Sequence, residues 1–258
     1  MTRDALAGAR RLVVKIGSSS LASPEGGLDP VQVAALVDAI ATRLAAGTQV
    51  VLVSSGAIAA GLRPLGLTKR PRDLATQQAA ASVGQGLLVE RYTAAFAQHG
   101  RTVGQVLLTS DDVVRRAHYR NAQRTFDRLL SLGVVPIVNE NDTVATEEIR
   151  FGDNDRLAAL VTHLVRADAL LLLSDVDGVY DADPHTTPDA VRFKRLDYGE
   201  YLSRGLKVMD TTAVSLCMDN GLPIVVFALM GEGNVVRAIR GEEVGTLICR
   251  LDGEEKDE

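Results

Sequence analysis

At 258 residues the chain is long enough for one large α/β domain or two small ones, and 46% hydrophobic content with 23 glycines suits a packed globular protein. Only 4% is aromatic and Trp is absent, which argues against a stacking platform for nucleic acid, and a formal net charge of -5 argues against a polyanionic partner. The two cysteines, Cys217 and Cys249, form no C-x-x-C and read as reduced core thiols of a cytoplasmic protein; no apolar run reaches the roughly 18 residues that span a membrane, and Met1–Arg11 lacks a signal-peptide core.

Leu12–Ile16 predicts a strand, and Gly17-Ser18-Ser19-Ser20 follows at once. Gly17 lets a ligand approach the backbone, the serines offer hydroxyls and amides, and Lys15 supplies a cation at the strand end. No G-x-x-x-x-G-K-[ST] exists, so this is not a Walker loop, and by itself Lys15 reads as a lysine snorkelling from a first strand. Asp29-Pro30 opens a helix with apolar Val33, Leu36, Val37, Ile40 and Leu44, which Gly47 ends. Val50–Val53 is the second strand and runs into Ser54-Ser55-Gly56-Ala57. Strands ending in Gly/Ser loops suit phosphate-sized ligands against backbone N–H groups, or serve as tight punctuation. Asp73 to about His99 reads as helix; Gly84-Gln85-Gly86 lies inside it and is no dinucleotide fingerprint. Val103–Leu108 is a third strand. In the next helix Arg116, Arg120, Arg124 and Arg128 share one face, which reads as a solvated or subunit-facing surface.

The most informative stretch is Val134–Val138, an apolar run bounded by Gly133 and Asn139 that reads as a buried strand. Beyond it, from Asn139 to Asp155, stand six acids (Glu140, Asp142, Glu147, Glu148, Asp153, Asp155) and one base, Arg150. In open α/β sheets ligands sit just outside the carboxyl ends of strands. The cluster suits an ammonium group, a hydrated Mg²⁺, or an acceptor held by amides; it also suits a solvated loop with Asp153 capping a helix over Arg156–Val165. Ala169–Leu173 is a fully apolar strand, typical of a sheet covered on both faces. It leads into Ser174–Pro184, which lacks the spacing of a calcium loop. Met209–Asn220 reads as helix, Pro223–Phe227 and Gly245–Ile248 as strands, and Gly253–Glu258 as an acidic tail. His99, His118, His163 and His185 show no metal spacing. Strands alternating with helices imply a mostly parallel sheet.

The segments V-V-K-I-G-S-S, V-S-S-G-A-I-A-A-G, Q-A-A-A-S-V-G-Q, G-Q-V-L-L-T, N-E-N-D-T-V-A-T-E-E-I and F-G-D-N-D-R-L-A-A-L closely resemble glutamate 5-kinases, of the amino acid kinase family, over about Leu12 to Asp175. Beyond about Pro188, Arg204–Ala213, Asp219–Phe227 and Gly241–Ile248 resemble bacterial UMP kinases, which share the fold. The double resemblance reads as a hybrid: a single domain over 1–258, with a glutamate-kinase-like acceptor half (1–175), a UMP-kinase-like nucleotide half (176–252), a tail (253–258) and no C-terminal RNA-binding-like domain. It implies a three-layer α/β/α sandwich around a mostly parallel sheet of about eight strands.

The activity implied is ATP-dependent phosphorylation of the L-glutamate side-chain carboxylate, with Mg²⁺, as in proline synthesis, by a cytoplasmic homo-oligomer that engages neither nucleic acid nor membrane. By the same resemblance Lys15 and Asp155 are catalytic, Lys15 contacting the transferring phosphoryl group with Gly17 and Ser18 beside it. Ser55, Gly56, Asp142 and Asn154 bind glutamate; Ser174, Asp175, Tyr180 and Asp183 bind ATP. Two alternatives are UMP kinase activity and a weakly active nucleotide-binding chimera. Against UMP, Ser54–Ala57 stands where those enzymes carry G-G-G-N, and Asn139–Asp142 replaces their G-T-G-N. The lysine of the glutamate kinase G-T-G-G-M-x-T-K segment falls opposite Asp210, and the UMP kinase arginine near Ala60, so a second cation is missing. Lys207 would substitute if the helix already begins there, and Asp210→Lys would then raise activity.

Overall fold

Runs of Val, Ile and Leu build the centre of the molecule as eight strands: β1 (Arg11–Ile16), β2 (Gln49–Ser54), β3 (Val103–Leu108), β4 (Val135–Glu140), β5 (Ala169–Ser174), β6 (Arg195–Asp197), β7 (Ile224–Ala228) and β8 (Thr246–Cys249). The structure, a computed structural model, describes residues 3–21, 23, 27–109, 112–113, 115–145, 154–184, 186–229 and 234–251. Glu147, Glu148, Arg150, Phe151, Gly152, Asp153, His185 and the tail Gly253–Glu258 lie outside the described residues.

The strands form one sheet in the order β3-β4-β2-β1-β5-β7-β8-β6. Adjacent strands run parallel except β7 and β8, which are antiparallel. Side chains alternate between two cores, as a period of two requires. Leu12, Val14 and Ile16 of β1 join one core, and Val13 joins the other. The first core is covered by α1 (Arg3–Ala7), α3 (Pro30–Ala45), α5 (Leu74–Ala97) and α10 (Asn234–Ile239), with Leu21 of the short α2 (Ser18–Leu21) and Ala57 of α4 (Ala57–Leu62). The second is covered by α6 (Arg116–Ser131), α7 (Asp155–Leu164), α8 (Tyr198–Ser203) and α9 (Thr211–Asp219). The result is the expected three-layer α/β/α sandwich around a mostly parallel sheet.

Local chemistry sets the helix starts. Asp29 caps α3 through Val31 N at 2.8 Å, with Pro30 in the first helical position. Asp73 caps α5 through Thr76 N at 2.8 Å. α9 begins at Thr211, two residues later than Met209, because Asp210 takes the cap and accepts from Ala213 N at 3.0 Å. α7 begins at Asp155, and its cap position is held by Asn154 in the left-handed region, φ 57°. Arg116, Arg120, Arg124 and Arg128 are all exposed on α6. Cys217 and Cys249 are buried free thiols, one in each core, and burial pushes the Cys217 thiol up to about 12.

α4 and α5 pack with their backbones in direct contact. A Cβ on Gly84 would lie 1.8 Å from Ala57 O, and one on Gly61 would lie 1.9 Å from Ala80 O. The glycines therefore let the two backbones touch, which sets the depth of α5 against the carboxyl edge of the sheet. Gly86, by contrast, faces open space. Gly84→Ala is expected to lower the unfolding free energy by about 1–3 kcal/mol in urea titrations, since backbone rather than a flexible side chain must move. Gly86→Ala should raise it by about 0.5–1 kcal/mol through helix propensity alone.

Candidate active site

β1 lies between β2 and β5, so successive connections leave it in opposite directions and open a crevice at the carboxyl edge, where α/β sheets bind ligands. Lys15, the penultimate residue of β1, faces that crevice from the side covered by α7 and α9. Its Nζ lies 2.7 Å from Asp155 Oδ1, and the side chains are only 2% and 6% exposed. A snorkelling lysine would place its ammonium in water; this one is buried with its charge, and that reading is corrected. Asp155 Oδ2 accepts the backbone N–H of Asp210 at 3.1 Å. The segment carrying Asp210 is held by Tyr201, whose hydroxyl donates to Met209 O at 2.9 Å and accepts from Met209 N at 2.8 Å. Burial, reinforced by the charges of Asp155 and Asp210, pushes the Tyr201 phenol up to about 12 and keeps it a donor.

Beside this ion pair is a buried chain of amides. Asn154 Nδ2 donates to Ser55 Oγ at 2.9 Å and to Asn139 Oδ1 at 2.8 Å, and Asn139 Nδ2 donates to Gln85 Oε1 at 2.8 Å. The four residues come from α7, the β2–α4 turn, the end of β4 and the middle of α5. Ser54 Oγ and Tyr92 OH, 2.8 Å apart, fasten α5 to the end of β2. The Ser55 N–H donates to Ile16 O at 3.1 Å, so it is committed to the fold and is not offered to a phosphate. Gly56 opens α4 at φ 109°, a conformation natural to glycine. Asp142 is half-buried in the turn after β4.

Gly17 is buried at the end of β1, and Ser18 starts α2 half-exposed. Across the β1–β5 boundary, Ser174 closes β5 and its hydroxyl donates to exposed Asp175 at 3.1 Å. Farther along, the Tyr180 hydroxyl donates to Asp177 Oδ1 at 2.6 Å, and Arg192 pairs with the same carboxylate at 3.3 Å. Asp183 is exposed. Thus Lys15 pairs with Asp155 and Ser55 with Asn154, the two pairs joined by the adjacency of Asn154 and Asp155 in the chain, while the Ser174–Asp183 segment forms its own contacts beyond β5. Lys207 is exposed in a non-helical segment before α9, so the helical spacing that would have brought it beside position 210 does not exist. Asp210 is a cap and an Asp155 partner, so Asp210→Lys would also remove that cap.

Sequence reasoning gave no role to Gln85, Asn139 or Tyr201. No local pattern singled out Gln85: the sequence shows Gly84 and Gly86 alike, and only the fold separates the close approach at Gly84 from the open space at Gly86. Among the described residues no three His, Cys, Asp or Glu side chains gather as a metal cage. Such a donor set fits Mg²⁺ only as an ion held largely by phosphate oxygens, with one or two carboxylates in support.

A family model described as the amino acid kinase family matches residues 10–228. The chain is 58% identical to the glutamate 5-kinase of Streptomyces coelicolor, over 95% of its own length and 68% of that protein's. It is 56% identical to that of Thermobifida fusca, over 95% of this chain and 66% of that one. The chain thus spans about two thirds of the length of these curated relatives. Among solved structures, UMP kinases of Bacillus anthracis and Ureaplasma parvum superpose with TM-scores of 0.71 and 0.68 at 20% and 22% identity. The first covers 95% of this chain and 97% of its own; the second covers 93% and 99%. Those likenesses are of fold. The glutamate 5-kinase match covers 95% of the chain and so takes in most of residues 176–252, which overturns the hybrid reading.

Proposed function

The chain belongs to the amino acid kinase family, and from that premise we propose that it transfers the γ-phosphoryl group of ATP to the side-chain carboxylate of L-glutamate. The observation that carries this reading is the buried Lys15–Asp155 pair at the carboxyl edge of β1, set directly beside an amide chain suited to a carboxylate-bearing acceptor.

Phosphoryl transfer calls for positioned charge rather than covalent help. In the proposed mechanism Lys15 Nζ meets the oxygens of the transferring group, and Asp155 fixes the ammonium in place. A glutamate carboxylate is already a nucleophile, so no side chain need remove a proton. Ser55, Gly56 and Asn154 orient the acceptor, and Asp142 receives its ammonium end. Gly17 and Ser18 after β1, with Ser174, Asp175, Tyr180 and Asp183 from the β5 side, hold ATP. When bound, Mg²⁺ neutralises phosphate charge; it would enter with the nucleotide. We place the enzyme in the cytoplasm, in keeping with two free buried thiols. We also read it as a homo-oligomer, supported by large apolar side chains exposed at Leu65, Val83 and Leu87.

An ATP-coupled assay with glutamate and with UMP side by side tests the acceptor. Turnover with glutamate well above that with UMP is expected; faster turnover with UMP would reject the proposal. Asp142→Ala should raise the glutamate concentration needed for half-maximal rate and leave that for ATP unchanged. Lys15→Ala and Asp155→Asn should each lower turnover by about 10²–10³ while weakening ATP binding far less, as expected when a preorganised charge is removed at the developing transition state. Near-parental turnover in either variant would remove that residue from the mechanism.

A further inference from the structure

Gln85 lies in the middle of α5 and is only 8% exposed. The glycine before it fixes the helix backbone against α4, so packing does not require a polar side chain here. A methionine would fill similar space without burying an amide. The two ends of the Gln85 amide are used unequally. Oε1 accepts from Asn139 Nδ2 at 2.8 Å, whereas Nε2 is a buried donor with no partner among the described residues. The acceptor end is thus the one that the amide chain uses.

That use follows from the asymmetry of amides. A carboxamide presents a donor at one end and an acceptor at the other. With the Gln85 carbonyl on Asn139 Nδ2, Asn139 must turn Oδ1 toward Asn154, and Asn154 then presents Nδ2 to both Asn139 and Ser55. Asn139 is 2% exposed and Asn154 6%, so water does not supply alternative partners freely. The sense of the whole chain is therefore set at Gln85, and it ends on the residue immediately before Asp155.

We infer that Gln85 is a positioning residue of the acceptor site: through Asn139 it fixes which end of the Asn154 amide faces Ser55. The inference deepens the glutamate reading above and rests on it. Gln85→Met keeps size and helix propensity and removes the acceptor. Steady-state kinetics should show KM for glutamate raised about tenfold, with kcat and KM for ATP within about twofold of the parent. Because Gln85 acts through Asn139, the double variant Gln85→Met/Asn139→Ala should be no worse than Asn139→Ala alone. An unchanged glutamate KM, a fall confined to kcat, or costs that simply add would overturn the inference. A parent that does not turn over glutamate would defeat the proposed function instead. In that event a neutron structure of Gln85→Met, which tells amide oxygen from nitrogen, still decides, since it needs no substrate: an Asn139 amide reversed or turned away from Asn154 supports the inference, and an unchanged amide chain overturns it.

Discussion

The structure depends on one interaction, the buried ion pair between Lys15 and Asp155. Burying two charges is unfavourable unless geometry and further hydrogen bonds compensate, and removing one partner leaves the other stranded. Here the compensation is drawn from across the fold. β1 is pinned between β2 and β5, which fixes the depth of Lys15. The left-handed turn at Asn154 starts α7 so that Asp155 projects toward it. The Asp210 N–H satisfies the second carboxylate oxygen, and Tyr201 holds the segment that presents it. A single carboxylate thereby ties β1 to α7 and to the start of α9.

The same arrangement separates two kinds of recognition. On one side of Lys15 the contacts are neutral amides and a hydroxyl, arranged in a directed chain from α7 to α5. On the other, beyond β5, the segment from Ser174 to Asp183 carries carboxylates, a hydroxyl and a phenol, and Arg192 pairs with its Asp177. The cation stands at the boundary, where the strand order reverses. Glycine packing makes this possible at a distance: the contact of Gly61 and Gly84 with backbone carbonyls sets α5 deep enough for Gln85 to reach the end of β4. In a water-poor site such fixed dipoles and charges act strongly, because they need little rearrangement during reaction.

Much of this was legible in the sequence. Apolar runs located β1 through β5 and β7 and β8 within a few residues, and Asp29-Pro30 announced the start of α3. The motif resemblance pointed to Lys15, Ser55, Asn154 and Asp155, and the structure pairs Lys15 with Asp155 and Ser55 with Asn154. Other features were not legible, each for a physical reason. β6 has three residues and α8 six, too short to show a period. The antiparallel turn into β8 depends on tertiary pairing. Lys15 looked like a snorkelling lysine because its partner is distant in sequence and appears only when α7 folds over β1. Gln85 sits in an Ala-rich helix where nothing local distinguishes a positioning glutamine from a solvated one. The likeness of residues 204–248 to UMP kinases reflected a shared fold, and similarity to glutamate 5-kinases along 95% of the chain replaces the hybrid reading.

The central claim is that Lys15 and Asp155 act as one unit on which the site is assembled. The most direct test is a double-mutant cycle in urea unfolding, with Lys15→Met, Asp155→Asn and the two combined. Each single change should cost about 3–5 kcal/mol by leaving a buried group without its partner. The combined variant should cost less than the sum by at least about 1 kcal/mol. Costs that add within error would show that the two side chains do not depend on each other and would contradict this account.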